Sequence, residues 1–376
     1  MADAAFPSKM GGVEKWLHHL SLAVNVLNIE VVYLNNLNQS ANYGKLSYKS
    51  FKNKFSFDSK SNNRSIFSIL HFTLFVSQWL FKNSRNGDIV YVHQTPLIPI
   101  IAVKIVSYFK KFQIINEWIE IWTFKNWRIE VGFVNGLVGY FFQSIGIMLS
   151  QNIITASNSV HNYFIRFYPD KRVIKISGQY VHKMPELSFE SLISEKYSEN
   201  YLVISRFSKE KNVNLALILF SDILRIKKNS FLTLVGYGVE FENLLILAEK
   251  LNISSNIKFI NNLNEEELTQ LYLSAQFLIH LSRREGFGLV VGEAASYGAV
   301  PIIIQNPDNE SVNRCKDFGL IFDSFDSRFM ADVILKSDCK SLSKSAFEYF
   351  QRNLSIENVD SAAKQIIDFA KTIIRN

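Results

Sequence analysis

Short β-branched runs alternate with helix-like segments twice along this 376-residue chain, and that rhythm restricts the fold more than any other feature. In the first half IEVVYL (29–34), DIVYVH (88–93), QIINEW (113–118) and NIITAS (152–157) read as strands. The helical stretches SILHFTLFVSQWLF (68–81) and IPIIAVKIVSYFKKF (98–112) lie among them. In the second half YLVISR (201–206), SFLTLVGYG (230–238), NIKFI (256–260), QFLIHLS (276–282) and VPIII (300–304) alternate with helices near 211–227, 240–251 and 264–275. Such alternation predicts parallel sheets joined by crossover helices, and the length allows two domains. The expected architecture is α/β, with two Rossmann-like domains facing each other across a cleft at the carboxyl ends of their strands. The domains are expected at 1–183 and 200–350. The stretch 184–199, without strand signal, reads as a linker, and a C-terminal helix within 351–376 is expected to cross back to the first domain.

Two segments of the first half are irregular. NQSANYGKLSYKSFKNKFSFDSKSNNRS (38–65) is polar and aperiodic and reads as a long mobile loop. GGVEKWLHHLSLAVNVL (11–27) is a good helix led by a glycine turn, which ordinarily follows a strand. Only MADAAFPSKM precedes it, so either the first strand is stunted or the natural start lies upstream.

Charge and composition bound the partners. Hydrophobic residues make up 48% and charged ones 20%, so both halves can bury a core. A net charge of +7 calls for an anionic partner: nucleotide phosphates, an acidic membrane surface or nucleic acid. Nucleic acid is set aside because no aromatic–basic repeat or recognised motif supports it. Two cysteines, Cys315 and Cys339, and no secretory signal indicate a reducing, cytoplasmic setting. VGFVNGLVGYFFQSIGIML (131–149) is apolar over 19 residues but carries Asn135 and Gln143. It reads as a buried or interfacial helix, with a membrane-embedded one as the alternative. With the aromatic, lysine-flanked helices before it, it places the chain peripherally at the inner face of the cell membrane.

The chemistry concentrates in RREGFGLVVGEAASYGAVP (283–301). Gly286 and Gly288 allow close backbone approach, and Leu289 opens a helix whose free N–H groups can receive a phosphate. Glu293, about one turn in, suits a vicinal diol such as a ribose, and Glu285 sits on the loop before it. Taken singly, each glutamate is equally an ordinary solvated or dipole-favouring acid. In SRFSKEKN (205–212), Arg206 ends a strand and Lys211 starts a helix, two cations suited to neutralising a diphosphate leaving group.

RFSKEKN, LVGYG and EGFGLVVGEAASYGAVPIII occur in an order and spacing that resemble retaining glycosyltransferases of family 4, with the two-domain fold called GT-B. FPSKMGGVEKWLHHL and DIVYVHQ resemble that family's first-domain elements more thinly. The resemblance implies that Glu293 holds the donor ribose, and that Glu285 with the Phe287–Gly288–Leu289 backbone holds the donor sugar and phosphate. It implies that Arg206 and Lys211 bind the diphosphate. Gly236 and Gly238 would line the nucleotide, and Gly11 and Gly12 would let a first-domain loop approach donor or acceptor. INNLNEEEL (260–268) would sit near the base. A nucleotide-sugar donor, a glycan or polyprenyl-linked acceptor, and transfer with retention and without metal follow from the same likeness. One departure matters: relatives carry W-H-E-x-W, whereas this chain has WIEIW (118–122), with Ile119 at the histidine's place. The alternative is therefore a catalytically weak or silent homologue that binds nucleotide-sugar or partners an active transferase.

Overall fold

Backbone alternation of the expected kind is present in both halves. The computed structural model describes residues 12–27, 29–35, 42–43, 46–50, 66–176, 188–194, 197–261, 263–353 and 358–374. The chain divides into two units, Met1–Val181 with Ser355–Asn376, and His182–Leu354.

In the first unit α1 (Gly12–Val26) precedes β1 (Val31–Asn35), β2 (Asn42–Tyr43) and β3 (Leu46–Ser50). These strands form a small sheet in which β1 and β3 are parallel and β2 is antiparallel. Then follow α2 (Ile66–Asn83), β4 (Ile89–His93), α3 (Ile98–Lys110), β5 (Gln113–Glu117), α4 (Phe124–Val131), α5 (Phe133–Leu149), β6 (Asn152–Thr155), α6 (Asn158–Phe167) and β7 (Arg172–Lys175). Strands β4 to β7 pair in chain order, all parallel. All four residues of β6 are buried, as a parallel strand covered on both faces requires. The core gathers Phe72 and Val76 of α2, Ile100 and Val103 of α3, and Trp118 and Phe164.

The second unit contains α7 (Phe189–Ser194), β8 (Tyr197–Ile204), α8 (Val213–Ile226), β9 (Phe231–Val235), α9 (Phe241–Lys250), β10 (Ile257–Ile260), α10 (Glu265–Ser274) and β11 (Ala275–His280). It continues with α11 (Leu289–Ser296), β12 (Val300–Ile304), α12 (Ser311–Cys315), β13 (Leu320–Phe322), α13 (Ser327–Lys336) and α14 (Cys339–Asn353). Its sheet is parallel throughout, in the order β10-β9-β8-β11-β12-β13. The last helix, α15 (Val359–Ile374), belongs to the first unit, where it packs on α1 and β5. Its buried face is Ala362, Ala363, Ile366, Phe369 and Ile373, the 3–4 spacing of an amphipathic helix.

Three expectations need correction. The stretch 184–199 is not a structureless linker. It holds α7, whose Leu192 is buried, and the start of β8, where Tyr197 pairs with Ala275. The loop expected at 38–65 contains β2 and β3; LSYKS carries a period-2 pattern inside a polar stretch, and Val31 pairs with Leu46. Residues 51–65 lie outside the described set. The apolar run 131–149 is not one continuous helix: Gly132, at φ 84°, separates α4 from α5.

Helix α5 buries Gly136, Gln143, Gly146 and Ile147 and exposes Phe133, Val134, Leu137 and Phe141. Its buried amide is bonded at both ends: Gln143 Nε2 donates to Trp122 O at 2.7 Å, and its Oε1 accepts from Trp122 N at 3.0 Å and Trp127 Nε1 at 3.3 Å. Among the described residues no helix is long and apolar enough to cross a membrane.

Candidate active site

The second sheet changes direction at β8: β9 and β10 extend from one side, β11, β12 and β13 from the other. Loops leaving the carboxyl ends of two such strands diverge and open a crevice, the usual ligand position in parallel α/β sheets. Those loops are 205–212 and 281–288, which carry Arg206, Lys211 and Glu285, while Glu293 lies on α11 just beyond the second.

The two loops are tied together. Lys209–Lys211 forms a single 3-10 turn; Arg283 N donates to Glu210 O at 2.9 Å, and Asn212 Nδ2 donates to Leu281 O at 2.9 Å. Lys211 Nζ donates to Glu285 Oε2 at 2.8 Å. His280 Nε2, at the end of β11, lies 3.3 Å from the same oxygen, an electrostatic contact without hydrogen-bond alignment. The Glu285 backbone is held by Asp308 O and Glu310 N, each at 2.9 Å. Its side chain is 19% exposed, so a ligand can still reach it. Burial alone would raise its pKa; the Lys211 ammonium and the His280 ring outweigh that and hold the carboxyl well below the usual range.

From Glu285 the chain turns into α11 through Gly288, at φ 81°. A Cβ there would run into Ser311 Oγ, so only glycine fits both the dihedral and the space. At the start of α11 the Leu289 and Val290 N–H groups have no acceptor within the helix, while Val291 N and Gly292 N donate to Gly288 O at 3.1 and 3.2 Å. Phe287 is buried, and the Arg314 guanidinium stacks on its ring at 3.5 Å from the centroid. Glu293, also buried, accepts from Tyr272 Oη at 2.8 Å. Tyr272 stacks on Tyr297, and burial followed by the Glu293 charge pushes its pKa well up, so the phenol stays a donor.

Gly236 and Gly238 have a packing reason. Phe207 N donates to Tyr237 O at 2.8 Å and Glu240 N to Phe207 O at 3.0 Å, laying the loop after β9 against the loop after β8. A Cβ at Gly236 would meet Ser205 O, and one at Gly238 would meet Phe207 O. Arg206 stands aside from the Lys211–Glu285 pair, with its guanidinium 3.6 Å from Glu210 and mostly in solvent. Gly12 opens α1, and Gly11 lies outside the described residues. Lys211 and Glu285 are thus in contact, and Glu293 has a dedicated partner.

Sequence reasoning missed His280 and Tyr272. His280 had a readable signal, a titratable residue ending an otherwise apolar strand that is buried along its whole length. Tyr272 had none, since a tyrosine on a polar helix is ordinary.

The first unit carries its own buried pair at the carboxyl ends of its strands. His93 ends β4 and Glu117 ends β5, in register. His93 Nδ1 donates to Glu117 Oε2 at 2.8 Å, and Trp16 Nε1 donates to Glu117 Oε1 at 2.8 Å. His93 Nε2 is buried without a hydrogen-bond partner among the described residues. Burial, then the Glu117 charge, raises the pKa of neighbouring Tyr91 well above its ordinary value. Ile119 has no imidazole to offer; its backbone N–H, like that of Glu120, is held by Gln94 Oε1, at 2.6 and 3.0 Å.

Residues 185–337 match the family described as Glycosyl transferases group 1. Alpha-monoglucosyldiacylglycerol synthase of Streptococcus pneumoniae (strain ATCC BAA-255 / R6) is 29% identical over 136 residues, covering 36% of this chain and 30% of that protein. N-acetyl-alpha-D-glucosaminyl L-malate synthase of Bacillus anthracis is 28% identical over 246 residues, 60% of each. The match therefore spans less than two thirds of either relative's length. Among solved structures, sucrose-phosphate synthase from Thermosynechococcus elongatus superposes with a TM-score of 0.79 at 15% identity, covering 100% of this chain and 96% of that one. WaaG, a glycosyltransferase involved in lipopolysaccharide biosynthesis, gives 0.71 at 14% identity, covering 98% and 97%. The fold is GT-B, two α/β domains with parallel sheets, as the motifs led us to expect.

Proposed function

From a chain whose residues 185–337 belong to the glycosyl transferases group 1 family, we propose a retaining glycosyltransferase that moves a hexose from a nucleotide-diphosphate sugar to a glycan or lipid-linked oligosaccharide acceptor. The observation that carries this reading is Glu285, ionised against Lys211 and His280 and placed just ahead of the α11 N-terminus, with Glu293 fixed by Tyr272 one turn further on.

Each element then has a task. The first turn of α11 receives the donor diphosphate, where N–H groups and helix dipole favour negative charge. Lys211 shares its ammonium between Glu285 and the departing phosphate, and Arg206, free to swing from solvent, adds a second cation. Glu293 accepts from the ribose hydroxyls, and Tyr272 keeps the carboxylate aimed. Glu285 accepts from hydroxyls of the donor sugar. The acceptor oxygen attacks the anomeric carbon on the face the diphosphate leaves. The glycosidic carbon–oxygen bond to phosphate breaks as the new one forms, and the acceptor proton passes to the leaving phosphate oxygen. Positioning and charge stabilisation do the work, so transfer needs no divalent metal. In the first unit, read as the acceptor side, Ile119 supplies no imidazole, and His93 is committed to Glu117.

The acceptor class follows from two supports. The relatives include proteins named for glucosyldiacylglycerol synthesis and for lipopolysaccharide biosynthesis. Exposed apolar residues on α2, α3 and α5 suit a cytoplasmic protein resting peripherally on the inner face of the cell membrane.

A thermal-shift screen against UDP, GDP, ADP and their hexose conjugates tests the donor half. A ligand at about a hundred times its dissociation constant stabilises by roughly 2.7 kcal/mol. One nucleotide family should raise the transition by several degrees, and the matching nucleotide-sugar should then yield product of unchanged anomeric configuration, with or without chelator. Nucleotide binding without any turnover would favour the silent homologue. No shift with any nucleotide would overturn the reading.

A further inference from the structure

The first unit contains a polar cavity of about 320 Å³. That volume lies at the lower end of the range for small-ligand sites, about 300–1,000 Å³. Lys104 and Ser107 of α3, Gln113 and Asn116 of β5, and Gln151 and Arg172 line it, with Ile373 of α15 at its edge. Gln113 and Arg172 are the first residues of their strands and Gln151 directly precedes β6. Most of the lining thus comes from the amino ends of the strands, and Asn116, one residue before Glu117, joins it from further along β5.

Its lining is rich in donors. Asn116 is 2% exposed, and its Nδ2 is buried with no acceptor among the described residues. An unpartnered buried amide is costly, so a donor kept there calls for an acceptor that the protein itself does not supply. Lys104 of α3 and Arg172 of β7 add two positive charges to the lining. A third cation stands beside them: Lys171 Nζ donates to Met148 O at 3.0 Å and to Ser150 O at 2.5 Å. Burial lowers the Lys171 pKa, Asp170 opposes this, and the like charge of Lys104 lowers it further, so the two ammonium groups sense each other. Asp170 supplies an acid beside Lys171, and its backbone carbonyl accepts from Gln151 Nε2 at 3.2 Å.

The surroundings are apolar. Lys104 Nζ lies 5.2 Å from the centroid of the Tyr108 ring. Ile105, Tyr108 and Phe109 of α3 and Met148 of α5 are each more than half exposed. Cations set among exposed aromatic and aliphatic side chains match the boundary between lipid headgroups and acyl chains.

We propose that this cavity binds a phosphate group, carried to it by an anionic phospholipid whose acyl chains meet the apolar rim. The inference goes beyond sugar transfer and does not rest on it. The full-length protein is floated with phosphatidylcholine vesicles and with phosphatidylcholine–phosphatidylglycerol vesicles. Parallel thermal shifts use inorganic phosphate and glycerol 3-phosphate. Each basic residue near an anionic surface contributes about fivefold in partitioning, so Lys104→Gln with Arg172→Gln should lose roughly twenty-five-fold on the anionic vesicles. Asn116→Leu should weaken headgroup binding while leaving unfolding temperature equal or higher, because it removes the orphaned donor.

Loss on anionic vesicles with these variants supports both halves of the proposal. Thermal shifts with soluble phosphates that the variants abolish, together with vesicle binding that they leave unchanged, keep the phosphate site and overturn the lipid as carrier. Variants that match wild type with every probe overturn the site. All variants are expected to retain their nucleotide-induced shift, so failure here is separable from failure of the transferase reading.

Discussion

In each unit a histidine that ends a strand faces a glutamate, yet the two pairs are built differently. In the first unit Glu117 is fully buried and is met by an imidazole N–H and the Trp16 indole N–H. In the second, Glu285 keeps some exposure and its principal partner is the Lys211 ammonium, with His280 at 3.3 Å. A carboxylate satisfied by buried donors, one on α1 and one on β4, fastens helix to sheet. A carboxylate paired with a cation in a partly open crevice can exchange that partner for a ligand. The pairing partner and the solvent access, rather than the His–Glu motif, separate a structural site from a reactive one.

The largest effect that would sharpen this contrast is on transfer. Glu285→Ala should lower kcat/KM by about a hundredfold, the scale of losing one preorganised electrostatic contact, with a smaller fall in unfolding temperature at neutral pH than a change at Glu117 brings. A near wild-type rate would break the contrast outright. Glu117→Ala should do the reverse. It strands the Trp16 and His93 donors, at about 1–3 kcal/mol each, and should lower the first unit's thermal transition by several degrees. Calorimetry of both variants side by side reads the exchange.

A smaller effect is expected at Glu293. Tyr272→Phe removes one hydrogen bond, worth about 1 kcal/mol, and should weaken nucleotide binding roughly fivefold in calorimetric titration. An unchanged affinity would mean that Glu293 needs no positioning. The smallest effect is in acid. The Glu285 pKa is depressed in the folded state, so its pairing stabilises fully above its ordinary value of 4.5 and is lost as pH falls below it. The stability gap between wild type and Glu285→Gln should therefore be constant between about pH 5 and 7 and narrow steadily as pH falls from about 5 toward 3. A gap that stays the same below pH 5 would refute the ion-pair account.

The sheets were legible because parallel strands covered on both faces read as apolar runs: NIIT and AQFLIH are both buried throughout. LSYKS was hidden by its polar neighbours, and the start of β8 by the charged ISEKYSEN around it. The glycine loop and its two glutamates were readable because their chemistry is local. Their partners were not, since Lys211 lies 74 residues from Glu285 and Tyr272 lies 21 from Glu293. Such contacts arise only once β8 and β11 are neighbours. Arg206 and Lys211 looked alike in sequence, and only the turn at Lys209–Lys211 separates their directions.

The packing of α15 on α1 and β5 makes the first unit a discontinuous body, with the second unit spliced into it between Val181 and Ser355. On the ribosome, every residue of the second unit is available before that closing helix has been synthesised. The unit that begins first is therefore completed last. A stop codon or protease cut near the C-terminus would strike the amino-terminal half, exposing Trp16, Leu17 and Leu20 of α1 while leaving the sheet that carries Glu285 whole.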